Sequence, residues 1–304
     1  MKVLLVDVDS KFPNLALMKL SAYHKQQCDE VGFDVEDPDI IYVSVIFKKN
    51  KWKAEAVKSF YPNVEIKIGG TGYDLTTWLP EKVEFLKPDY DLYPDCEWAL
   101  GFTSRGCNRN CYFCVVPQKE GEFRRWQHPR AFYDERFDKI VFLDNNILLD
   151  REWFFEVMRF CKELDLKYWF TQGLDIRLLD ERIASVLRDV KHFKMIEFAW
   201  DFLGLEPIIR EKVKLLEDCG FDLKREIMFF VYIHNDAEFE SGLYRCKVLK
   251  ELGTNPFVMF NIDNKRSQRI KYLQKWANRK HLFWSCDFED FINSSSVRKR
   301  KIRI

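Results

Sequence analysis

The stretch WALGFTSRGCNRNCYFCVVP, residues 98–117, places three cysteines on a predicted loop directly after a predicted buried strand. Cys107, Cys111 and Cys114 fall within eight residues, with the spacing C-x-x-x-C-x-x-C, and no other stretch of the chain brings two cysteines so close. A structural zinc site needs four ligands, usually two C-x-x-C pairs or a cysteine and histidine set. A four-iron cluster normally takes four thiolates, so three thiolates would leave one iron open for chemistry.

The sequence after this loop alternates between strand-like and helix-like patterns. Strands are predicted at residues 98–104, 139–145, 167–173, 195–201, 225–233 and 255–262. Asp180 is a good N-cap for one intervening helix, while another has Pro207 in its first turn and ends at Gly220. Six strands with helices between them predict a partial (βα) barrel over residues 97–262. In such barrels, active-site residues lie on the loops that follow the strands.

Residues 1–90 carry a smaller α/β pattern. Strands are predicted at residues 2–8, 39–47 and 64–70, with helical stretches between them. This alternation predicts an N-terminal Rossmann-like, doubly wound domain with a parallel sheet. The segment that continues to residue 96 is rich in proline, acidic and aromatic residues, and we interpret it as a linker on the surface. Residues 263–304 are predicted to form a C-terminal helical and basic extension.

Composition bounds the class of protein. The chain has 304 residues, 47% hydrophobic and 32% charged, with a formal net charge of +1. These values are typical of a folded protein of about two domains, and the charge indicates neither a nucleic-acid binder nor an enzyme of acidic substrates. No apolar run approaches the ~18 residues of a membrane span. We therefore expect a cytoplasmic protein without a membrane partner, whose nine cysteines serve metal binding, catalysis or burial.

The cysteine spacing, with the aromatic Phe113 just before the last cysteine, resembles the cluster-binding motif of radical S-adenosylmethionine enzymes. The position of the motif, after the first strand of a predicted six-stranded partial barrel, is also similar to that superfamily. A Rossmann-like unit, a GG loop and then GFTSRGCNRNCYFCVVP resemble the arrangement of cobalamin-binding-domain radical enzymes and methylthiotransferase-like proteins. The nearest resemblance is to a radical S-adenosylmethionine group that phages often encode.

The resemblance implies a mechanism. Cys107, Cys111 and Cys114 would hold a 4Fe–4S cluster whose fourth iron binds the amino and carboxylate groups of S-adenosyl-L-methionine. An electron from a flavodoxin-type or ferredoxin-type donor would cleave the sulfonium carbon–sulfur bond, and the resulting 5′-deoxyadenosyl radical would abstract hydrogen from a substrate. The cofactor then carries the difficult chemistry, and the protein supplies orientation and excludes water.

The resemblance also implies further cofactor-binding positions. A turn after the second barrel strand holds the methionine amino group in the superfamily, and here it reads Asp144, Asn145 and Asn146. The QGLDIR stretch after the third strand is expected to reach the ribose or the substrate, and the FVMFN strand to offer backbone contacts to adenine. The residues that these matches and the motif single out are Gln172, Asp175, Arg177, Val258 and Phe113.

Two departures limit the resemblance. Cobalamin domains with a histidine ligand carry D-x-H-x-x-G, but the first loop here reads DVDSKFPN, and Thr71 stands where a histidine often follows the two glycines. We therefore expect a degenerate cobalamin-like domain that does not bind cobalamin. Cys161, Cys219 and Cys246 fall on apolar faces of predicted helices, as buried free cysteines do. A second cluster is not expected, and this weighs against sulfur insertion.

The substrate and the alternative functions stay open at this point. A nucleoside or RNA substrate is favoured because the basic C-terminal segment carries Tyr272 and Trp276, which offer stacking surfaces beside phosphate contacts. A peptide or a small metabolite is the competing substrate class. The competing function is a non-catalytic metal-binding or iron–sulfur module, structural or electron-transferring, with Cys96 or His128 as a possible fourth ligand.

Overall fold

The computed structural model of the protein describes residues 1–261 and 264–294. The chain divides into two compact units, unit 1 (residues 1–145) and unit 2, which begins at residue 146. Both units combine helices with parallel strands, so the predicted α/β class is confirmed. The predicted boundaries of the Rossmann-like domain and the barrel stay predictions. The predicted basic tail, residues 297–304, lies outside the described residues.

Unit 1 contains short strands and helices in alternation. Its strands are β1 (Lys2–Asp7), β2 (Glu30–Gly32), β3 (Ile40–Ser44), β4 (Glu65–Gly69), β5 (Ala99–Gly101), β6 (Ser104–Arg105), β7 (Arg124–Arg125) and β8 (Lys139–Phe142). Its α-helices are α1 (Leu15–Gln26), α2 (Lys51–Phe60), α3 (Glu81–Glu84) and α4 (Val116–Lys119). The helices and strands predicted in residues 1–70 are present, and β2 was not predicted.

The first four strands form one parallel sheet in the order β2-β1-β3-β4. Both faces of this sheet are covered, because successive side chains of β1 enter different cores. Val3 packs in a core with Leu17 of α1, whereas Leu4 packs in a second core with Ala54 of α2. Burial on both faces explains why these strands read as continuous apolar runs in the sequence.

The segment between this sheet and β5 is not the surface linker that its prolines suggested. Val83 and Glu84 of α3 are buried, and so is Tyr90. The hydroxyl of Tyr90 donates to the carbonyl oxygen of Phe132 at 2.6 Å and accepts from the backbone N–H of Leu100 at 3.1 Å. Proline marks a break in helix or strand, but it does not indicate whether the neighbouring side chains are exposed.

The last strands of unit 1 position the cysteine loop. β5 and β8 are parallel, with Ala99 opposite Ile140 and Gly101 opposite Phe142. β6 and β7 pair in antiparallel fashion, so the residues between them form the loop of a hairpin. The three cysteines therefore follow a buried strand, as predicted. They lie on the hairpin loop between β6 and β7, whose two ends are held together by the pairing of these strands.

Unit 2 has longer helices around parallel strands. Its described strands are β9 (Lys167–Phe170), β10 (Ile196–Ala199), β11 (Ile227–Ile233) and β12 (Asn255–Phe260). Its described α-helices are α5 (Arg151–Glu163), α6 (Glu181–Asp189), α7 (Glu206–Asp218), α8 (Leu223–Glu226), α9 (Phe239–Glu251), α10 (Gln268–Ala277), α11 (Lys280–Ser285) and α12 (Phe288–Asn293). The last three strands form a parallel sheet in the order β10-β11-β12.

The predicted helix boundaries of unit 2 are confirmed. The side chain of Asp180 accepts from the backbone N–H of Ile183 at 2.9 Å and caps α6. Pro207 lies in the first turn of α7, and Gly220 follows that helix with a φ of +84°. None of the described helices is long and apolar enough to cross a membrane.

Strand β11 separates a buried core from a more open face. Every second residue, from Ile227 to Ile233, is fully buried, whereas Met228, Phe230 and Tyr232 between them are only partly buried. Helix α9 covers the buried face closely, because a side chain at Gly242 would meet Ile233 Cδ1 at 2.3 Å. Gln172, Asp175 and Arg177 lie after the carboxyl end of β9, whereas Val258 is buried within β12.

Candidate functional site

The cysteine loop is closed at its base by backbone contacts. The N–H of Cys107 donates to the carbonyl oxygen of Gly121 at 3.1 Å. Gly106 adopts a φ of +80°, and a Cβ there would lie 2.1 Å from the carbonyl oxygen of Glu122. Both the backbone angle and the close approach require glycine at this position. The loop is therefore a defined hairpin and not an open connection.

The three cysteines of the motif are partly exposed, and the sulfurs of Cys107 and Cys114 accept backbone hydrogen bonds. The N–H of Arg109 donates to Cys107 Sγ at 3.3 Å, and the N–H of Val116 donates to Cys114 Sγ at 3.5 Å. A third bond, from the N–H of Cys114 to the carbonyl oxygen of Cys111 at 3.0 Å, tightens the turn between the last two cysteines. Hydrogen bonds to the sulfurs are among the features that set the properties of an iron–sulfur cluster.

The cysteines fit such a cluster in ligand type and in loop environment. Among residues 1–261 and 264–294, however, no group of three or more His, Cys, Asp or Glu side chains is arranged to hold a metal ion as it stands. Cluster binding would therefore have to draw the three sulfurs together. Cys161 and Cys246 are buried as predicted, and burial raises the pKa of their thiols to about 12. The prediction is wrong for Cys219, which is partly exposed because it caps the carboxyl end of α7.

A buried network of four charges fixes the base of the loop. Arg105 donates to Glu84 Oε1 at 2.7 Å and to Glu120 Oε1 at 3.0 Å, and its guanidinium lies 3.7 Å from the ring centroid of Phe102. The ammonium of Lys19 is 3.0 Å from the same Glu84 oxygen, and burial lowers the pKa of Lys19. The pairing of these residues could not be predicted from the sequence, because no local pattern shows which distant charges are buried together.

The predicted turn after β8 lies against the start of the cysteine loop. The buried carboxylate of Asp144 accepts from Thr103 Oγ1 at 2.6 Å, from Ser104 Oγ at 2.5 Å and from the Thr103 N–H at 3.0 Å. Asn145 Oδ1 accepts from the N–H of Gly106 at 3.0 Å. Burial raises the pKa of Asp144, whereas the hydroxyl donors lower it. Both residues therefore anchor the loop, and their contact with S-adenosylmethionine stays a prediction.

Other predicted residues meet in unit 2. Asn146 Nδ2 donates to Asp175 Oδ2 at 3.4 Å, and Arg177 donates to both oxygens of Asp175, at 2.6 and 2.9 Å. This bidentate ion pair holds the guanidinium of Arg177 beside the buried carboxylate of Asp175, in a geometry that is typical of strong ion pairs. Gln172 lies on the same loop with an exposed side chain, and its Nε2 donates to Thr171 Oγ1 at 3.3 Å.

The structure adds two carboxyl groups with raised pKa values. The buried Glu197 of β10 accepts from Trp169 Nε1 at 2.6 Å, and burial raises its pKa to about 7. Asp201 follows the same strand, and burial raises its pKa to about 6, although Arg245 and Arg177 oppose the shift. Such groups can hold or release a proton near neutral pH. A glutamate inside the apolar stretch MIEFAWD was the available sequence signal for Glu197.

Val258 uses its backbone groups within unit 2. Its N–H donates to Asn278 Oδ1 at 2.7 Å, and its carbonyl oxygen accepts from Asn278 Nδ2 at 3.0 Å and from Gln274 Nε2 at 3.2 Å. The side-chain amide of Asn278 thus satisfies the strand edge as a neighbouring strand would. An adenine contact through these groups of Val258 would compete with Asn278. Phe113 packs edge-on against Tyr112, with ring centroids 5.2 Å apart.

The first loop of unit 1 uses its acidic residues to build its own structure. The carboxylate of Asp9 accepts from the N–H groups of Ile46 and Phe47 at 2.8 and 3.1 Å, and from Asn50 Nδ2 at 2.8 Å. With no histidine in that loop, the residues present do not fit histidine-ligated cobalamin. Gly70 has a φ of +99° and lies against Val45, so its role is a close backbone approach.

The predicted stacking surface on the C-terminal helix is wrong for Trp276. This side chain is 0% exposed, and its indole Nε1 donates to the carbonyl oxygen of Cys286 at 3.0 Å. The reason is the apolar periodicity of α10, whose residues Ile270, Leu273 and Trp276 all face the interior of unit 2. An aromatic side chain on the buried apolar face of a helix is not available for stacking on a base.

No family model matches the chain, and no curated protein matches it. The residues of the cysteine loop and their geometry are therefore the basis for the function proposed next.

Proposed function

We propose that this protein is a radical S-adenosylmethionine enzyme whose cluster is bound by Cys107, Cys111 and Cys114. One observation carries the proposal: three partly exposed cysteines share one closed hairpin loop, and two of their sulfurs accept backbone hydrogen bonds. With three thiolate ligands, a 4Fe–4S cluster keeps one iron free to bind S-adenosylmethionine and supplies the electron that cleaves its sulfonium carbon–sulfur bond.

The fold supports the proposal in two respects. The order β2-β1-β3-β4 follows the first four strands of the flavodoxin-like doubly wound order, which favours a Rossmann-like N-terminal domain. Strands β5, β8, β9, β10, β11 and β12 correspond to the six strands predicted for the partial barrel. The finer assignment, with these six strands in one radical S-adenosylmethionine barrel, belongs to the proposal.

The chain's own residues have distinct tasks in this scheme. The pairs of Arg105 with Glu84 and Glu120 hold the base of the loop, and Asp144 holds the residues that precede it. These contacts fix the base of the loop, so that cluster binding would have to move only the residues between its ends. Glu197 within β10, with a pKa of about 7, and Asp201 just after β10, with a pKa of about 6, are carboxyl groups that can take up or release a proton near neutral pH.

Cluster assembly and cofactor binding test the proposal. The full chain is reconstituted anaerobically with iron and sulfide, and iron content and the electron paramagnetic resonance spectrum of the reduced protein are recorded with and without S-adenosylmethionine. We expect about four irons per chain and a spectrum that changes when S-adenosylmethionine is added. Cys114→Ala should lose the cluster, whereas Cys219→Ala, a partly exposed cysteine outside the motif, should keep it.

A non-catalytic metal-binding module is the second candidate. The partial exposure of all three cysteines favours it, since a metal could be bound at the surface without enclosing a reaction. This candidate predicts bound zinc, or a cluster whose spectrum does not respond to S-adenosylmethionine.

The main proposal has two further parts. They are an electron donor of the flavodoxin or ferredoxin type and a nucleoside or RNA substrate.

A further inference from the structure

A strongly basic surface lies in unit 1, whereas the sequence pattern favoured the C-terminal segment with Tyr272 and Trp276. The basic-aromatic surface, residues 46–60, comprises the turn after β3 and the whole of α2. It has five lysines and one glutamate, a net charge of +4 within 15 residues, whereas the whole chain has a net charge of +1. Its lysines are Lys48, Lys49, Lys51, Lys53 and Lys58. Positive charge is thus concentrated on one surface of a nearly neutral protein.

Two aromatic side chains of this surface point into solvent. Trp52 is 65% exposed and Phe60 is 80% exposed. They lie on one face of α2 with Ala56 between them, because residues four apart share a helix face. The opposite face is the buried one, where Ala54 packs against the sheet. At a rise of 1.5 Å per residue, the two aromatic residues are separated by about 12 Å along the helix.

The lysines around these rings are available for an anionic partner. In the described part of the chain, Lys48, Lys49 and Lys53 have no carboxylate within 4.0 Å, and Lys58 pairs with Glu55 at 3.0 Å. Several exposed lysines elsewhere are paired with aspartates, as the contacts of Lys162, Lys191 and Lys214 illustrate. Unpaired cations beside exposed apolar rings indicate a surface that binds a partner.

The local backbone holds this surface in a fixed shape. Asp9 accepts hydrogen bonds from Ile46, Phe47 and Asn50, so the turn that presents the first lysines is tied to the loop after β1. Tyr73 supports the helix from the side, with the ammonium of Lys51 4.6 Å from its ring centroid. The surface also adjoins the carboxyl end of β3, the edge at which open parallel sheets bind ligands.

Single-stranded nucleic acid fits these features best. Lysines contact phosphates, and every base has a flat face that stacks on an aromatic ring without need for a particular sequence. A helix that lies on a membrane presents a wide apolar face rich in bulky residues. The exposed face of α2 instead has two separated rings, with the small residues Ala56 and Ser59 between them. Separated rings flanked by cations suit a chain of bases and phosphates.

We infer that residues 46–60 form a docking surface for single-stranded nucleic acid, with the lysines on phosphates and with Trp52 and Phe60 on bases. This binding requires neither the cluster nor S-adenosylmethionine, so it goes beyond the proposed radical chemistry. The nucleic-acid contact then lies on α2 of unit 1 and not on the C-terminal segment that the sequence pattern favoured.

Fluorescence anisotropy with a fluorescein-labelled oligouridylate tests the inference on the full chain. Wild type should bind, and the logarithm of its association constant should fall linearly with the logarithm of salt concentration. Trp52→Ala should weaken binding about 5- to 150-fold, the value for one stacked base. The triple variant Lys48→Gln, Lys49→Gln, Lys53→Gln should reduce the salt slope by about 2, since each phosphate contact on a single strand contributes about 0.7.

Matched controls separate a specific surface from general attraction. Tyr244→Ala removes another exposed aromatic side chain, and the triple variant Lys162→Gln, Lys191→Gln, Lys214→Gln removes the same number of charges elsewhere. Both should bind the oligouridylate as wild type does. Heparin, a polyanion without bases, should be bound equally by wild type and Trp52→Ala.

Three results would overturn the inference. One is a wild type that does not bind the oligouridylate at low salt. Another is a Trp52→Ala variant with unchanged affinity, which would leave only attraction between charges. The third is co-sedimentation with phosphatidylserine vesicles that depends on Trp52 while oligouridylate is not bound, which would assign the surface to membranes. Because Trp52 is exposed, its replacement leaves the core intact. The binding results also do not depend on whether the radical chemistry is found.

Discussion

Arg105 donates to Glu84 Oε1 at 2.7 Å, so the residue two positions before the first cysteine of the motif is bound to the short helix α3. Both side chains are buried, and Lys19 lies on the same carboxylate. Removal of a buried carboxylate between two cations strongly lowers the free energy of unfolding, because the cations remain buried without a counter-charge. The hairpin that carries the cysteines is therefore stabilised by a residue outside the motif.

Replacement of that carboxylate tests its role. Glu84→Gln should lower the free energy of unfolding by about 3–5 kcal/mol, since it leaves Lys19 and part of Arg105 buried without a counter-charge. Urea unfolding followed by circular dichroism measures the loss. Glu81→Gln alters an exposed glutamate of the same helix and should change stability little. Equal stability of the two variants would show that the network does not hold the loop.

Two glycines of the cysteine loop offer a matched comparison. Gly106 and Gly121 both have positive φ values, but only at Gly106 would a Cβ meet backbone atoms, at 2.1 Å from Glu122 O. Gly121→Ala should cost about 1–2 kcal/mol through the backbone angle alone. Gly106→Ala should cost more and should also reduce the iron bound per chain after reconstitution. Similar losses for both variants would mean that the close approach at Gly106 is unimportant.

Asp144 should be needed as an acceptor of several hydrogen bonds. In Asp144→Asn, an amide NH₂ group replaces one oxygen and faces donors from Thr103 and Ser104, which leaves buried donors unsatisfied. The expected loss of stability is about 1–3 kcal/mol. Thermal unfolding measures this loss, and Asp95→Asn, at an exposed position, is the control. If Asp144→Asn unfolds like wild type, the carboxylate does not anchor the loop.

Glu197 makes stability depend on pH in a predictable direction. Its pKa is about 7 in the folded protein, whereas the ordinary value for a glutamate is 4.5, so the folded state holds the proton more tightly than the unfolded chain does. The stability contributed by this proton is fully present below pH 4.5 and is lost as pH rises through about 7. The loss amounts to about 3 kcal/mol by pH 8.

The comparison of wild type with Glu197→Gln isolates this contribution. Between pH 5 and pH 8, the free energy of unfolding of wild type should fall relative to that of the variant, whose neutral amide can still accept from Trp169 Nε1. Chemical denaturation at several pH values gives both curves. Parallel curves would show that Glu197 titrates normally. Asp201 and other carboxyl groups contribute to both curves and cancel in the difference.

Much of the fold could be predicted from the sequence, for identifiable reasons. Buried strands such as Ile227–Ile233 are apolar runs, and caps such as Asp180 and stops such as Gly220 mark the helices. Strand β2 was missed because it has only three residues, of which Val31 alone is apolar. The prediction of a surface linker was wrong, because the prolines of that segment do not show that Val83 and Tyr90 are buried.

The candidate site could be predicted from the sequence only where its residues are close together in the chain, as the three cysteines are. The three cysteines lie on one loop as expected, and Asp144 and Asn145 lie beside its base. The partners that hold the loop come from distant parts of the chain, and their pairing depends on tertiary structure. The basic charge of the C-terminal segment favoured Trp276 as a stacking residue, although the periodicity of its helix already indicated burial. The alternation of lysine with Trp52 and Phe60 was equally visible in the sequence and was not used.

The most direct measurement of the central claim is the formation of 5′-deoxyadenosine. The reconstituted full chain is reduced with dithionite, S-adenosylmethionine is added, and the product is quantified by liquid chromatography and mass spectrometry. We predict product from wild type and Cys219→Ala, and none from Cys114→Ala. A wild-type protein that has a complete, reducible cluster but forms no more 5′-deoxyadenosine than Cys114→Ala would contradict the account.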